Sequence, residues 1–205
     1  VLTSLRSQRV DLTIAALRKR LARRFDVLDQ TPPEEGGFSI VINGNPINWA
    51  DRQELKSLQF IWEFGDERLP GSVLPKDITR FEMPGLVDAS QGWTISGWFG
   101  TAKKPTDLTS DDEAGSLKNI IVLARKRPIQ EGIIEKLDFS RVFGNYVTGQ
   151  IEADFLDDNE LDDIATSDRQ RLIEDDPRVQ ALQAFLRKAF VAAAEEWSKY
   201  RPKKE

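Results

Sequence analysis

Apolar positions recur along this chain with two periods. Ile14, Leu17, Leu21, Phe25 and Leu28 fall at steps of three and four. That spacing places them on one stripe of a helix over residues 12–26, with Asp11 where an N-cap belongs. The same spacing returns in Val179, Leu182, Phe185, Leu186, Ala189, Phe190, Ala193 and Trp197, behind Pro177. Proline is preorganised for a first helical turn, so a long last helix is predicted from Pro177. Between the two helices the pattern shortens. Residues 38–42 read as a strand followed by Asn43-Gly44, and both turn residues tolerate positive φ. This predicts a two-residue hairpin whose return strand carries Pro46, Ile47 and Trp49. Residues 58–64, 92–102, 118–124 and 146–155 read as further strands. The unbroken run Ile120-Ile121-Val122-Leu123 fits a strand covered on both faces. A short helix is predicted over 130–137, and Thr166 or Ser167 is placed to cap another. Residues 65–90, rich in proline, glycine and charge, read as a long connection with little regular structure. Residues 103–117 read as a polar loop. The fold class predicted is α/β (α+β).

Composition narrows what such a fold can do. The chain has 205 residues, 40% of them apolar, which suffices for one large domain or two small ones. It has no cysteine and no histidine. Disulfides, thiolate metal sites, a cysteine nucleophile and the Ser-His-Asp triad are therefore excluded from it. No apolar run approaches the roughly 18–20 residues of a membrane span. A cytoplasmic protein without a membrane partner is expected. The first residue is Val1, and the chain reads as a piece of something longer.

The net charge is −5, unevenly distributed. Residues 1–30 hold seven basic side chains against three acidic ones; residues 151–176 hold eleven acidic against two basic. Five basic residues, Arg18, Lys19, Arg20, Arg23 and Arg24, crowd the first helix. They read either as a solvated face or as a contact for nucleic-acid phosphate. Lys103 and Lys104, at a strand end between Gly100 and Pro105, are a candidate anion contact, since lysine is a mobile point charge suited to phosphate. The plain alternative is a pair of solvated loop lysines. Arg169 and Gln170, in the segment Thr166-Ser167-Asp168-Arg169-Gln170, form a second candidate, set against simple ion pairing with nearby carboxylates. The acidic run over 154–165 lacks the central glycine of a calcium loop, so no metal site is assigned. Four of the five tryptophans fall between Trp49 and Trp98, and read as core or interface. There is no Walker A pattern and no other glycine-rich nucleotide loop.

The order of segments carries a resemblance. IIVLARKR from Ile120, then YVTGQIEADFL, an acidic loop, TSDRQ and a long helix are similar to the middle domain of the ninety-kilodalton heat-shock chaperones. With GWFGTAKKP and ATSDRQRLIEDDP, the chain resembles still more the GHKL ATPases related to MutL and MORC. The resemblance implies a transducer with a βαβ unit like that of ribosomal small-subunit protein five. Residues 1–10 would be the tail of an upstream ATP-binding domain, 11–90 the first part of the transducer, and 91–205 its core sheet and last helices. It implies that Lys103 or Lys104, and Arg169 with Gln170, reach the ATP γ-phosphate when the domains close. It further implies no enzymatic activity for this piece alone, no cofactor within it, and ATP with Mg2+ in an ATPase parent. The implied partners are the upstream domain and a second copy in the full-length protein. A separate alternative is an interaction module that binds nucleic acid or a protein client through the basic helix 12–26, with weak nucleic-acid contact at most. A self-contained carboxylate enzyme is a third, with no pocket motif behind it.

Overall fold

The computed structural model describes residues 13–25, 39–66, 68–109, 117–137, 141–158 and 172–201. Among these residues four α-helices, α1 (Ile14–Arg24), α2 (Ile133–Lys136), α3 (Arg141–Gly144) and α4 (Pro177–Tyr200), accompany ten strands. Six strands form one mixed sheet: β3 (Leu58–Phe64), β4 (Thr79–Met83), β7 (Ser96–Ala102), β8 (Asn119–Ala124), β9 (Arg127–Gln130) and β10 (Val147–Glu152). Their order across the sheet is β4-β3-β7-β10-β8-β9. Two small ribbons lie apart, β1 (Val41–Ile42) with β2 (Asn45–Pro46), and β5 (Leu86–Asp88) with β6 (Trp93–Thr94). The architecture is α+β with a mixed sheet and a C-terminal helix. No described helix is long and apolar enough to cross a membrane.

All seven residues of β3 are buried, so the centre of the sheet is covered on both faces. Phe60, Trp62 and Phe64 point to one face, where they join Phe99, Ile120, Val122, Val147 and Ile151. The stripe of α4 closes that face with Leu182, Leu186, Phe190 and Trp197. Phe190 meets Phe99 at 4.7 Å between ring centres, and Trp62 stacks on Phe99 at 5.2 Å. Pro177 opens α4 as expected, and the Asp176 carboxylate accepts the backbone N–H of Arg178. The other face is smaller: Ile61 and Trp98 pack there with Leu55, Leu58, Val73 and Leu74.

Several elements depart from the sequence expectation. Residues 65–90 carry a real strand, β4, parallel to β3 at the sheet edge. Its exposed positions, Arg80 and Glu82, are charged, and its half-buried ones are Thr79, Phe81 and Met83. Phe81 stacks on Trp62 at 5.3 Å, while Arg80 bonds the buried Glu63 carboxylate. Residues 130–137 are not one helix. Gln130 ends β9, Gly132 takes φ +82, and only Ile133–Lys136 is helical. The hairpin at Asn43-Gly44 forms with both φ positive, but Trp49 starts a separate short turn instead of extending β2.

The first helix differs most. Thr13 caps it, its hydroxyl accepting the Ala16 N–H at 3.1 Å. Ala16 and Ala22 are its buried residues, and Ile14 is 53% exposed. Leu17, Leu21 and Phe25 of the predicted stripe are half-buried, so the most buried positions of α1 are its two small residues. Asp11, Leu28, Thr166 and Ser167 lie outside the described residues.

Candidate nucleic-acid interface

Strand direction decides which loops meet. β3 and β4 are parallel, as are β8 and β10, and β7 runs antiparallel to both β3 and β10. The segments that enter β3, β4, β8 and β10 therefore gather at one end of the sheet, with the segment that leaves β7. Lys56 precedes β3, Lys76 precedes β4, Lys118 precedes β8, and Lys103-Lys104 follow β7. These lysines, far apart in sequence, share one end.

Specific bonds fix the segments that bear them. The Lys103 backbone N–H donates to the Ser57 carbonyl at 3.2 Å, which ties the exit of β7 to the turn holding Lys56. The Lys103 ammonium lies 3.5 Å from Asp77, and both side chains are more than half exposed. The Lys104 backbone N–H donates to the Asp107 carboxylate at 3.1 Å, leaving its own side chain at the surface. Lys56 and Lys76 are exposed too, and among the described residues neither has a carboxylate partner.

Beneath this end lies a buried polar cluster. Arg52 is 1% exposed and pairs through Nε with Glu54, itself 2% exposed. Arg52 Nη1 donates to Gln150 Oε1 on β10 at 2.8 Å, and the guanidinium lies 5.7 Å from the Trp98 ring centre. Burial opposes ionisation of Glu54, but Arg52 and then Arg23 outweigh it and hold the carboxyl below the usual range. The cluster pins residues 52–57 to the sheet, and so sets where Lys56 leaves it.

The basic helix α1 reaches the same end but spends much of its charge on docking. Arg18 grips Asp51 and donates to the carbonyls of Asn45 and Pro46. Arg23 Nη2 donates to the carbonyls of Leu117 at 2.8 Å and Asn119 at 3.3 Å, just at the entry to β8. Burial pushes the Arg23 guanidinium down to about 10. Arg24 pairs at the surface with Glu131 at 3.2 Å, and Arg20 is exposed. Of the five basic residues expected to form a solvated or phosphate-binding face, Arg18 and Arg23 are engaged with the protein itself, while Arg20 and Arg24 remain at the surface. Arg18 and Arg23 are structural clamps, since both donate to backbone carbonyls of other segments.

The C-terminus of α4 also arrives here. Trp197 lies 5.1 Å from Tyr146, at the entry to β10, and Arg201 covers both rings at 4.7 Å. Lys199 is exposed beside it.

The opposite end of the sheet carries charges of both signs, exposed Arg125, Lys126 and Arg127 beside Glu152, Asp154 and Asp157. Arg125 and Lys126 turn β8 into β9 with φ of 48 and 62. The Asp154 and Glu152 carboxylates accept their backbone N–H groups at 2.6 and 2.8 Å. Among the described residues no group of three or more acidic side chains could hold a metal ion.

Of the candidates from the sequence, Lys103 and Lys104 stand at the basic end; Arg169 and Gln170 lie outside the described residues. Lys56 and Lys76 were missed, because a lone loop lysine has no motif and only the strand register collects them.

The chain is 35% identical over 197 residues to a Herpetosiphon aurantiacus protein named "Putative type II restriction enzyme HgiDII". The match covers 92% of this chain, which spans 31% of that relative's length. No family model matches the chain, and no solved structure matches it. The relative overturns the assignment to GHKL ATPases and to the chaperone middle domain. It bears the name of a restriction enzyme, so the expectation of a γ-phosphate-sensing transducer in an ATPase parent is corrected. The expectation that this is a non-enzymatic piece is corrected with it, since the relative's name is that of an enzyme.

Proposed function

We propose that this chain is part of an enzyme of the restriction type, and that the basic end of its sheet meets the DNA backbone. The observation that carries this reading is the gathering of exposed Lys56, Lys76, Lys103 and Lys104 at one end of a chain whose net charge is −5. Like charges repel, so packing alone gives no reason to collect them; a polyanion does. The likeness to a protein named as a restriction enzyme supports DNA as that polyanion. In this reading the described residues grip DNA. The acidic metal-binding group that phosphodiester cleavage commonly uses would come from elsewhere in the enzyme.

The test is a cleavage assay on plasmid DNA with Mg2+, using a protein that carries this chain in its full natural context. Discrete linear products are expected. Intact plasmid at every enzyme concentration, together with no DNA binding at low salt, would overturn the proposal.

A further inference from the structure

We infer that Lys56, Lys76, Lys103 and Lys104 form a sequence-independent contact for the phosphates of duplex DNA, with Asp77 as a counter-charge that DNA displaces from Lys103. This rests on the reading of the chain as DNA-acting, and names how the contact works.

Three features carry it. The four cations are all lysines, delivered by three separate segments that enter β3, enter β4 and leave β7. A lysine ammonium is a point charge that follows a phosphate through a range of positions. Lysine can also reach a guanine edge, but the planar groups of arginine, asparagine and glutamine match a base edge with two bonds in fixed geometry, which a single ammonium lacks. A lysine set therefore grips without reading sequence.

The second feature concerns aromatic rings. Single-stranded nucleic acid is held largely by stacking on exposed aromatic faces. Trp98 is 2% exposed within β7, Trp49 is partly buried against the cluster of Leu55 and Leu58, and Tyr146 and Trp197 lie beneath Arg201. Tyr200 leans on Phe81, with ring centres 5.7 Å apart. Among the described residues no aromatic side chain is exposed, so there is no open stacking platform, and a duplex, whose bases are already stacked on one another, is the better match.

The third is the pair Lys103–Asp77 at 3.5 Å, with side chains 54% and 68% exposed. A contact that long and that open is weak, and a phosphate competes for the same ammonium. Asp77 also repels the incoming backbone. It sets a threshold of affinity that its removal should lower.

The measurement is fluorescence anisotropy of labelled duplexes of unrelated sequence, and of the matching single strands, across a salt series. The proteins are wild type, each Lys→Gln variant, the quadruple variant, D77N, and K126Q at the opposite end. Circular dichroism reports folding. Wild type should bind all duplexes alike and above single strands. Its log–log salt slope should include about 0.9 for each lysine, and each single change should remove about that much. The quadruple variant should lose at least tenfold in affinity on every duplex, D77N should gain severalfold, and K126Q should match wild type. Preference for single strands, discrimination between duplexes, or a folded quadruple variant that binds like wild type would overturn the inference. If that variant keeps its affinity while the natural enzyme cuts plasmid, the lysine contact fails and the restriction-type reading stands. If wild type binds nothing and the enzyme cuts nothing, both fail.

Discussion

Arg18 clasps Asp51 through two parallel hydrogen bonds, Nε to Oδ1 at 2.8 Å and Nη2 to Oδ2 at 2.7 Å. Both side chains are less than a fifth exposed. The same guanidinium holds two carbonyls of the β1–β2 ribbon, so charge helps to fasten α1 to that ribbon. Arg18→Ala should cost about 1–2 kcal/mol of stability, measured by urea denaturation.

That cost should depend on pH. Burial works against the Asp51 carboxylate, but the hydrogen bond from Arg18, the Asn48 backbone N–H and the charge of Arg18 hold it below the ordinary value. A carboxyl depressed in the folded state stabilises above its unfolded pKa of about 3.9. The contribution is lost as pH falls through the lower folded value. The gap in midpoint between wild type and Arg18→Ala should therefore be full near neutrality and should narrow in acid. A gap that stays constant into acid would show that Asp51 contributes no charge to the clasp.

Gly149 tests how closely the central strands approach. A Cβ there would lie 2.6 Å from the Trp98 carbonyl oxygen and 2.7 Å from Phe99 Cβ. Neither β7 nor β10 has room to yield, since each is flanked on both sides in the sheet. Gly149→Ala should cost about 3 kcal/mol. Gly71→Ala, whose Cβ would meet nothing within 4 Å, should be close to neutral. Equal midpoints for the two variants would refute the packing described.

Phe190 joins α4 to the sheet. It is 2% exposed and packs against Phe99 and Phe143. Phe190→Ala should lower stability by about 3–5 kcal/mol in chemical denaturation. An unchanged midpoint would place α4 off the sheet.

The parts legible in the sequence were those with strong periods and clear boundaries. α4 shows its stripe behind Pro177, and β3 falls on residues 58–64 as read. β4 escaped because Arg80 and Glu82 occupy its exposed positions, so an edge strand looks like a polar connection. The stripe of α1 is only half-buried, and its most buried residues, Ala16 and Ala22, carry little hydrophobic signal. Arg23 read as surface charge; only tertiary structure brings it to the carbonyls entering β8. The candidate site was half visible. Lys103 and Lys104 adjoin in the chain and drew attention as an anion contact. Lys56 and Lys76 join them only through parallel pairing of β3 with β4 and the bond from Lys103 to Ser57, which no local pattern records.

The claim that the basic end of the sheet meets DNA is tested most directly by lysine acetylation footprinting with and without a duplex. Lys126, exposed at the opposite end, is the internal reference. The account predicts that duplex DNA protects Lys56, Lys76, Lys103 and Lys104 together, that high salt abolishes the protection, and that Lys126 reacts at the same rate throughout. Protection of Lys126 with the four lysines unchanged, or no protection anywhere under conditions where the duplex is bound, would contradict it.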